Sequence, residues 1–166
     1  MNEIEEALSP YRRAWMARQS PLGPLIHTFY APAESSIVEE VFGDNLPPKS
    51  VLEFWKRTAG GRLYEDVTYG QWGLILFAPE KVKTRSEEAY KNYPENYRAS
   101  DLVLGEFLGD QDVLFIVGEA ARPDFGRVYV ASPLDSRSEW SLVGDDLADF
   151  LRKFAQANGE KFWERY

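Results

Sequence analysis

Apolar residues recur at helical intervals near the beginning and end of the chain, and in shorter strand-like runs through most of its middle. Within residues 2–19, Ile4, Leu8, Tyr11 and Trp15 keep helical spacing, and Pro10 predicts a kink or a second helical piece. Residues 20–33 carry Pro21, Gly23, Pro24 and Pro32 and read as a connector holding a brief extended piece at 25–30. A helix fits residues 34–42 and stops at Gly43. The next begins at Pro47-Pro48, where the missing amide donor costs nothing in a first turn. Val51, Leu52, Trp55 and Ala59 share its predicted buried face, Lys56 and Arg57 lie away from that face, and Gly60 or Gly61 closes it.

Past Gly61 the pattern turns to β. Residues 64–69 and 72–77 are rich in aromatic and branched side chains with Gly70 between them, and the run 74–77, apolar on both faces, predicts a central strand. Tyr90, Tyr93 and Tyr97 suggest a short irregular helix over 86–97 around Pro94. Residues 102–108 and 113–117 flank Gly109-Asp110-Gln111-Asp112, a link suited to a hairpin, and 127–131 and 140–143 supply two further strands. The last helix places Leu147, Phe150, Leu151 and Phe154 on one face, with Asp145 and Asp146 at its positive end and Asn158-Gly159 as its stop. Helices at both ends around about five or six consecutive strands imply an α+β domain, a mostly antiparallel sheet with helices packed on one side.

A chain of 166 residues, 44% of them hydrophobic, has the size of one domain able to bury its core without staples. The lack of cysteine removes disulfides, thiolate metal sites and cysteine nucleophiles together, which fits a reducing compartment and makes the cytoplasm the expected location. The acidic first residues and the absence of any long apolar run predict neither a secretion signal nor a membrane anchor. The formal net charge of -8 is accounted for between Asp101 and Asp149, where 11 acids meet three bases. Such a balance disfavours phosphate backbones and favours a basic protein partner, while a merely solvating acidic face remains the alternative.

Catalytic signatures are sparse. His27, the single histidine, sits among apolar residues with no neighbouring partner for general-base work or metal binding, which makes it structural. Asp110-Gln111-Asp112 has a metal-like spacing, but aspartate also favours the turn geometry expected there. No nucleophile elbow, phosphate loop, dinucleotide fingerprint or zinc-protease motif occurs, so no cofactor and no metal is implied. Trp55, Trp72, Trp140 and Trp163 are read as core or core-edge residues.

Taken in order, Leu46-Pro47 opening a helix with Trp55, the Gly60-Gly61 turn, Trp72 before the 74–77 strand, the acidic hairpin within 104–117, Gly126 to Tyr129 and Phe150-Leu151 resemble the SUKH superfamily, the Smi/Knr-type proteins. The resemblance covers residues 37–154, where Thr58-Ala59-Gly60-Gly61 replaces the usual Asn-Gly-Gly and leaves any role of that amide without a counterpart. It divides the chain into an N-terminal helical extension, 1–33, and a SUKH-like domain, 34–166. It implies a non-catalytic cytoplasmic module that binds protein, commonly an immunity protein neutralising a cognate bacterial toxin such as a nuclease; some relatives resemble regulatory scaffolds. An uncharacterised carbohydrate-active hydrolase is a further reading. The residues expected to meet the partner are Asp110, Asp112, Glu119, Asp124, Asp135 and Glu139, acting as an acidic surface. Neither the partner's identity nor the oligomeric state is set by the sequence.

Overall fold

The computed structural model describes residues 2–20 and 23–164, with the backbone alone for 17–20. Pro21, part of the expected connector, lies outside the described residues. Five α-helices accompany eight strands: α1 (Glu3–Arg13), β1 (Met16–Ser20), β2 (Gly23–Phe29), α2 (Ser35–Phe42), α3 (Lys49–Trp55), β3 (Gly61–Asp66), β4 (Leu74–Leu76), α4 (Pro79–Asn92), β5 (Leu102–Phe107), β6 (Val113–Ile116), β7 (Val128–Ala131), β8 (Ser141–Gly144) and α5 (Leu147–Gln156). Every strand pairs antiparallel with its sequence neighbours in one sheet ordered β1 to β8. The fold is thus α+β with an antiparallel sheet, as the periodicity predicts, but with more strands than expected.

The extra strands come from the stretch read as a connector. Glycine and proline mark its turns, yet β2 between them pairs with both β1 and β3 and sends Leu25 and His27 inward. Residues 2–33 therefore hold a hairpin as well as a helix. That helix, α1, runs through Pro10 as one element, and it ends before Trp15, which is exposed. Asn2 caps it by accepting the amides of Ile4 (2.9 Å) and Glu5 (3.2 Å), donors that otherwise have no partner in a first turn.

The helix after Pro47-Pro48 is shorter than its pattern suggests. α3 stops at Trp55, and its buried face is Val51, Phe54 and Trp55 rather than one reaching Ala59. Gly60 and Gly61 do not end it; they bring strands together. A Cβ on Gly60 (φ +130°) would lie 2.5 Å from the Leu76 carbonyl oxygen, and one on Gly61 would lie 2.5 Å from that of Thr28. α4 starts seven residues before the expected 86, with Pro79 in its first turn, and buries Val82 and Ser86 while Tyr90 and Tyr93 are exposed. The short strands β5 to β8 and the amphipathic α5 fall close to the predicted ranges.

One large apolar cluster joins the helices to one face of the sheet, with Trp55 stacked on Phe42 and Tyr11 donating its hydroxyl to the Leu151 carbonyl at 2.6 Å. A smaller cluster of Phe115, Val117, Ala131 and Trp140 lies apart, packed by Tyr97 and Tyr129. Its cover is the nine-residue segment joining β7 to β8, which supplies Trp140 and lays the Arg137 guanidinium over Phe115.

Candidate functional site

In an antiparallel meander successive hairpin connections alternate between the two ends of the sheet. The expected acidic residues are divided by that geometry. Asp110 and Asp112 occupy the β5–β6 turn, and Asp135, in the β7–β8 connection, is close enough to Asp112 to act on its ionisation. Glu119 and Asp124 belong to the β6–β7 loop at the opposite end. Glu139 closes a single 3-10 turn (Arg137–Glu139), where its carboxylate accepts the Ser136 amide at 3.1 Å. The six carboxylates do not share one surface.

At the β5–β6 turn the charge is largely committed within the chain. Asp110 Oδ1 accepts the Asp112 amide at 3.0 Å and Gln111 has φ +66°, the turn geometry that aspartate favours. Lys161, its side chain only 10% exposed, donates to Asp110 and stands 3.7 Å from Asp112. Its ammonium also lies over the rings of Phe107 (5.4 Å) and Trp72 (5.8 Å). Burial pushes the Lys161 pKa down and the Asp112 pKa up, the latter assisted by Glu164 and Asp135. Asp110, Asp112 and Glu164 bring carboxylate oxygens within 4.8 Å of one another, a spacing a cation could use, but the lysine already counters two of them.

The opposite end is more open. Here α1, α3 and α5 all begin, and a hollow of about 490 Å³ between them is lined by Asn2, Lys49, Glu53, Phe125 and Asp145, among others. A second hollow of about 480 Å³, lined by Phe42, Leu46, Glu87 and Glu119, shares Phe125 with the first. Phe125, common to both hollows, is 39% exposed and Leu46, in the second, is 48% exposed, so two large apolar side chains reach solvent here. Part of the surrounding charge is absorbed by helix ends: Asp146 accepts the Asp149 amide (2.8 Å), and Asp149 accepts that of Asp145 (2.9 Å). The side chains of Asp44, Glu119 and Asp145 form no ion pair among the described residues.

The other motif residues act structurally. Trp55 donates its indole N–H to the Phe77 carbonyl (3.2 Å), Pro47 is buried, and Trp72 is half-buried. Gly126 takes φ +85° and donates to the Val117 carbonyl (2.9 Å), tying back the loop that presents Phe125. Tyr129 stacks on Phe115, with ring centroids 5.5 Å apart. Thr58, two residues before Gly60, is fully buried and bridges two segments: its hydroxyl accepts the Tyr30 amide (3.2 Å) and reaches the carbonyl of Gly60 (2.5 Å).

His27 is held in the core. Its Nδ1 accepts the Tyr64 amide at 3.1 Å, Tyr11 and Tyr64 pack edge-on against it, and burial lowers its pKa to about 4. The buried carboxylates are likewise engaged. Asp66 accepts the amides of Thr68 and Tyr69 (both 3.0 Å), Asp101 binds Arg137, and Asp112 faces Lys161. Sequence reasoning missed Phe125 and Arg137. The legible signal for Phe125 was a lone aromatic inside the turn-forming run Arg122-Pro123-Asp124-Phe125-Gly126; Arg137 had none, because Asp101 meets it only through the fold.

The antiparallel meander with helices over one face belongs to a recognised class of α+β domain. The family model described as the SMI1/KNR4 family (SUKH-1) matches residues 32–153, most of the chain, and the protein belongs to that family. No curated protein matches the sequence. Among the described residues, no helix is long and apolar enough to cross a membrane.

Proposed function

We propose that this chain is a non-catalytic protein-binding module that receives a basic polypeptide, and that it serves as an immunity protein for a cognate toxin. The observation that carries the reading is the surface where the two hollows meet. There Phe125 and Leu46 offer apolar anchors, Asp145 lines the first hollow and Asp44 and Glu119 the second, and among the described residues these three acids form no ion pair although Lys49 and Lys83 line the same hollows. Partly exposed aromatic anchors inside a charged rim are the usual anatomy of a binding surface. The engagement of His27, Asp66, Asp101 and Asp112 in structural contacts supports a role without bond-making chemistry.

Of the six expected contact residues, Glu119 remains a direct contact, with Phe125 and Leu46 added. Asp110 and Asp112 are secondary because Lys161 holds them. The test is the association rate with the polypeptide captured from the native host on this chain as bait. The rate should fall as ionic strength rises past the point where the screening length drops below about 10 Å. Phe125→Ala should accelerate dissociation, and Glu119→Lys should slow association. A salt-insensitive rate, with both variants binding as wild type does, would remove this surface from the function; capture of a host regulator would assign a scaffold role instead.

A further inference from the structure

On the sheet face opposite the helices lies a third hollow of about 480 Å³, lined by Phe115, Asp124, Tyr129, Arg137, Ser138 and Trp140. We infer that this hollow is a binding site for a neutral saccharide of one or two rings, separate from the protein-binding surface proposed above.

The argument starts from the floor. Phe115 and Tyr129 stack with an interplanar angle of 17°, and Trp140 meets Phe115 edge-on at 4.9 Å, so the half-buried Tyr129 ring is fixed in place. A rigid ring of this kind offers its electron-rich face to the C–H side of a sugar. The walls carry directional polar groups. Arg137 is held flat by Nη2 donating to Asp101 Oδ1 (3.2 Å) and Nη1 donating to the Asn96 carbonyl (2.9 Å), with its guanidinium over Phe115 at 5.2 Å and Trp140 at 5.5 Å. Asp124, which also lines the hollow, contributes a carboxylate whose Oδ1 is shut off from solvent and makes no hydrogen bond, its nearest countercharge being Arg122 Nε at 3.8 Å. Buried acceptors are ordinarily satisfied, and rotation of this carboxylate would let it take a ligand hydroxyl.

Charge selects the class of ligand. The hollow is lined by one cation, Arg137, and one anion, Asp124, and each already faces an opposite charge, Asp101 for the first and Arg122 at 3.8 Å for the second, so the lining is balanced. A cationic side chain would meet the Arg137 guanidinium, and an anion would meet Asp124. A hydroxylated neutral ligand can donate to the carboxylate and accept from Ser138 or Arg137 without adding charge. The volume lies in the range of small-molecule sites. Asp124 is the single acid among the lining residues, whereas glycoside cleavage ordinarily needs a facing pair, so the inference is of binding alone.

The test uses the full chain and saturation-transfer NMR with maltose, cellobiose and N,N′-diacetylchitobiose as probes, with acetyl-arginine amide as the charged control. At least one disaccharide should bind in the millimolar range. Tyr129→Ala and Asp124→Asn should each weaken it by about tenfold, the loss expected for one stacking face or one charge-assisted hydrogen bond. Thermal unfolding verifies that each variant is folded, and Tyr129→Leu replaces the alanine variant if that one is not. Binding of no disaccharide, equal binding by the folded variants, or binding of the arginine amide alone would each overturn the inference.

Discussion

Replacing Arg137 with alanine tests how the second face of the sheet is held. The side chain is 21% exposed, but its partner Asp101 is only 3% exposed, so the pair is closer to a buried ion pair than to a surface one. Without Arg137, the Asp101 carboxylate still accepts the Arg98 amide at 2.8 Å but loses both guanidinium bonds. Removing one partner of a buried pair costs about 3–5 kcal/mol, and the residual exposure and the retained amide put the expected loss near the lower end, about 3 kcal/mol. For a chain of this length that lowers the melting temperature by roughly 6–12 °C. Urea titration followed by circular dichroism measures the free-energy change. Adding Asp101→Asn to the alanine variant removes the stranded charge, so the double variant should be more stable than Arg137→Ala alone. A loss below about 1 kcal/mol for Arg137→Ala, with no recovery in the double variant, would mean that the pair behaves as a solvated surface contact and refute the reasoning.

Other perturbations read different parts of the structure. The His27 pKa is depressed from 6.5 to about 4 by burial, so between those values the unfolded chain binds a proton that the folded chain refuses. Stability should therefore be full above pH 6.5 and decline as the pH falls toward 4, with a slope of up to about 1.4 kcal/mol per pH unit. His27→Gln should flatten that slope in urea midpoints measured across the window. Gly60→Ala places a methyl 2.5 Å from the Leu76 carbonyl at φ +130° and should cost about 3 kcal/mol; a neutral result in the same titration would show that β3 and β4 can part without penalty. Lys161→Met keeps contact with Phe107 and Trp72 but uncovers Asp110 and Asp112. The Asp112 carboxyl should then titrate still higher by NMR, because its nearest countercharge is gone; an unmoved titration would show that the lysine does not govern it.

Much of the fold was legible because it depends on local pattern. α5 combines a continuous apolar face with an Asp146 cap and the Asn158-Gly159 stop, so sequence spacing and tertiary packing give the same answer there. The same agreement holds for β5 to β8. Where the two diverged, the deciding contact lay far away in sequence. The Gly60-Gly61 pair looks like a helix stop in isolation, but its conformation is required by the backbones of Thr28 and Leu76. β2 looks like a connector until β1 and β3 supply its hydrogen bonds.

The sequence by itself determined the α+β class, the acidic balance and the family resemblance, since these rest on composition, period and the order of short motifs. Only the tertiary structure decided which charges act together. The antiparallel course of the strands sends Asp110 and Asp112 to one end of the sheet and Glu119 to the other, although all belong to one acidic stretch of chain. It sets Lys161 against the first pair, leaves Glu119 beside Phe125 and Leu46, and joins Arg137 to Asp101 across 36 positions of sequence. Electrostatic interactions depend on distance through space and on burial, and neither can be read from a linear count of charges.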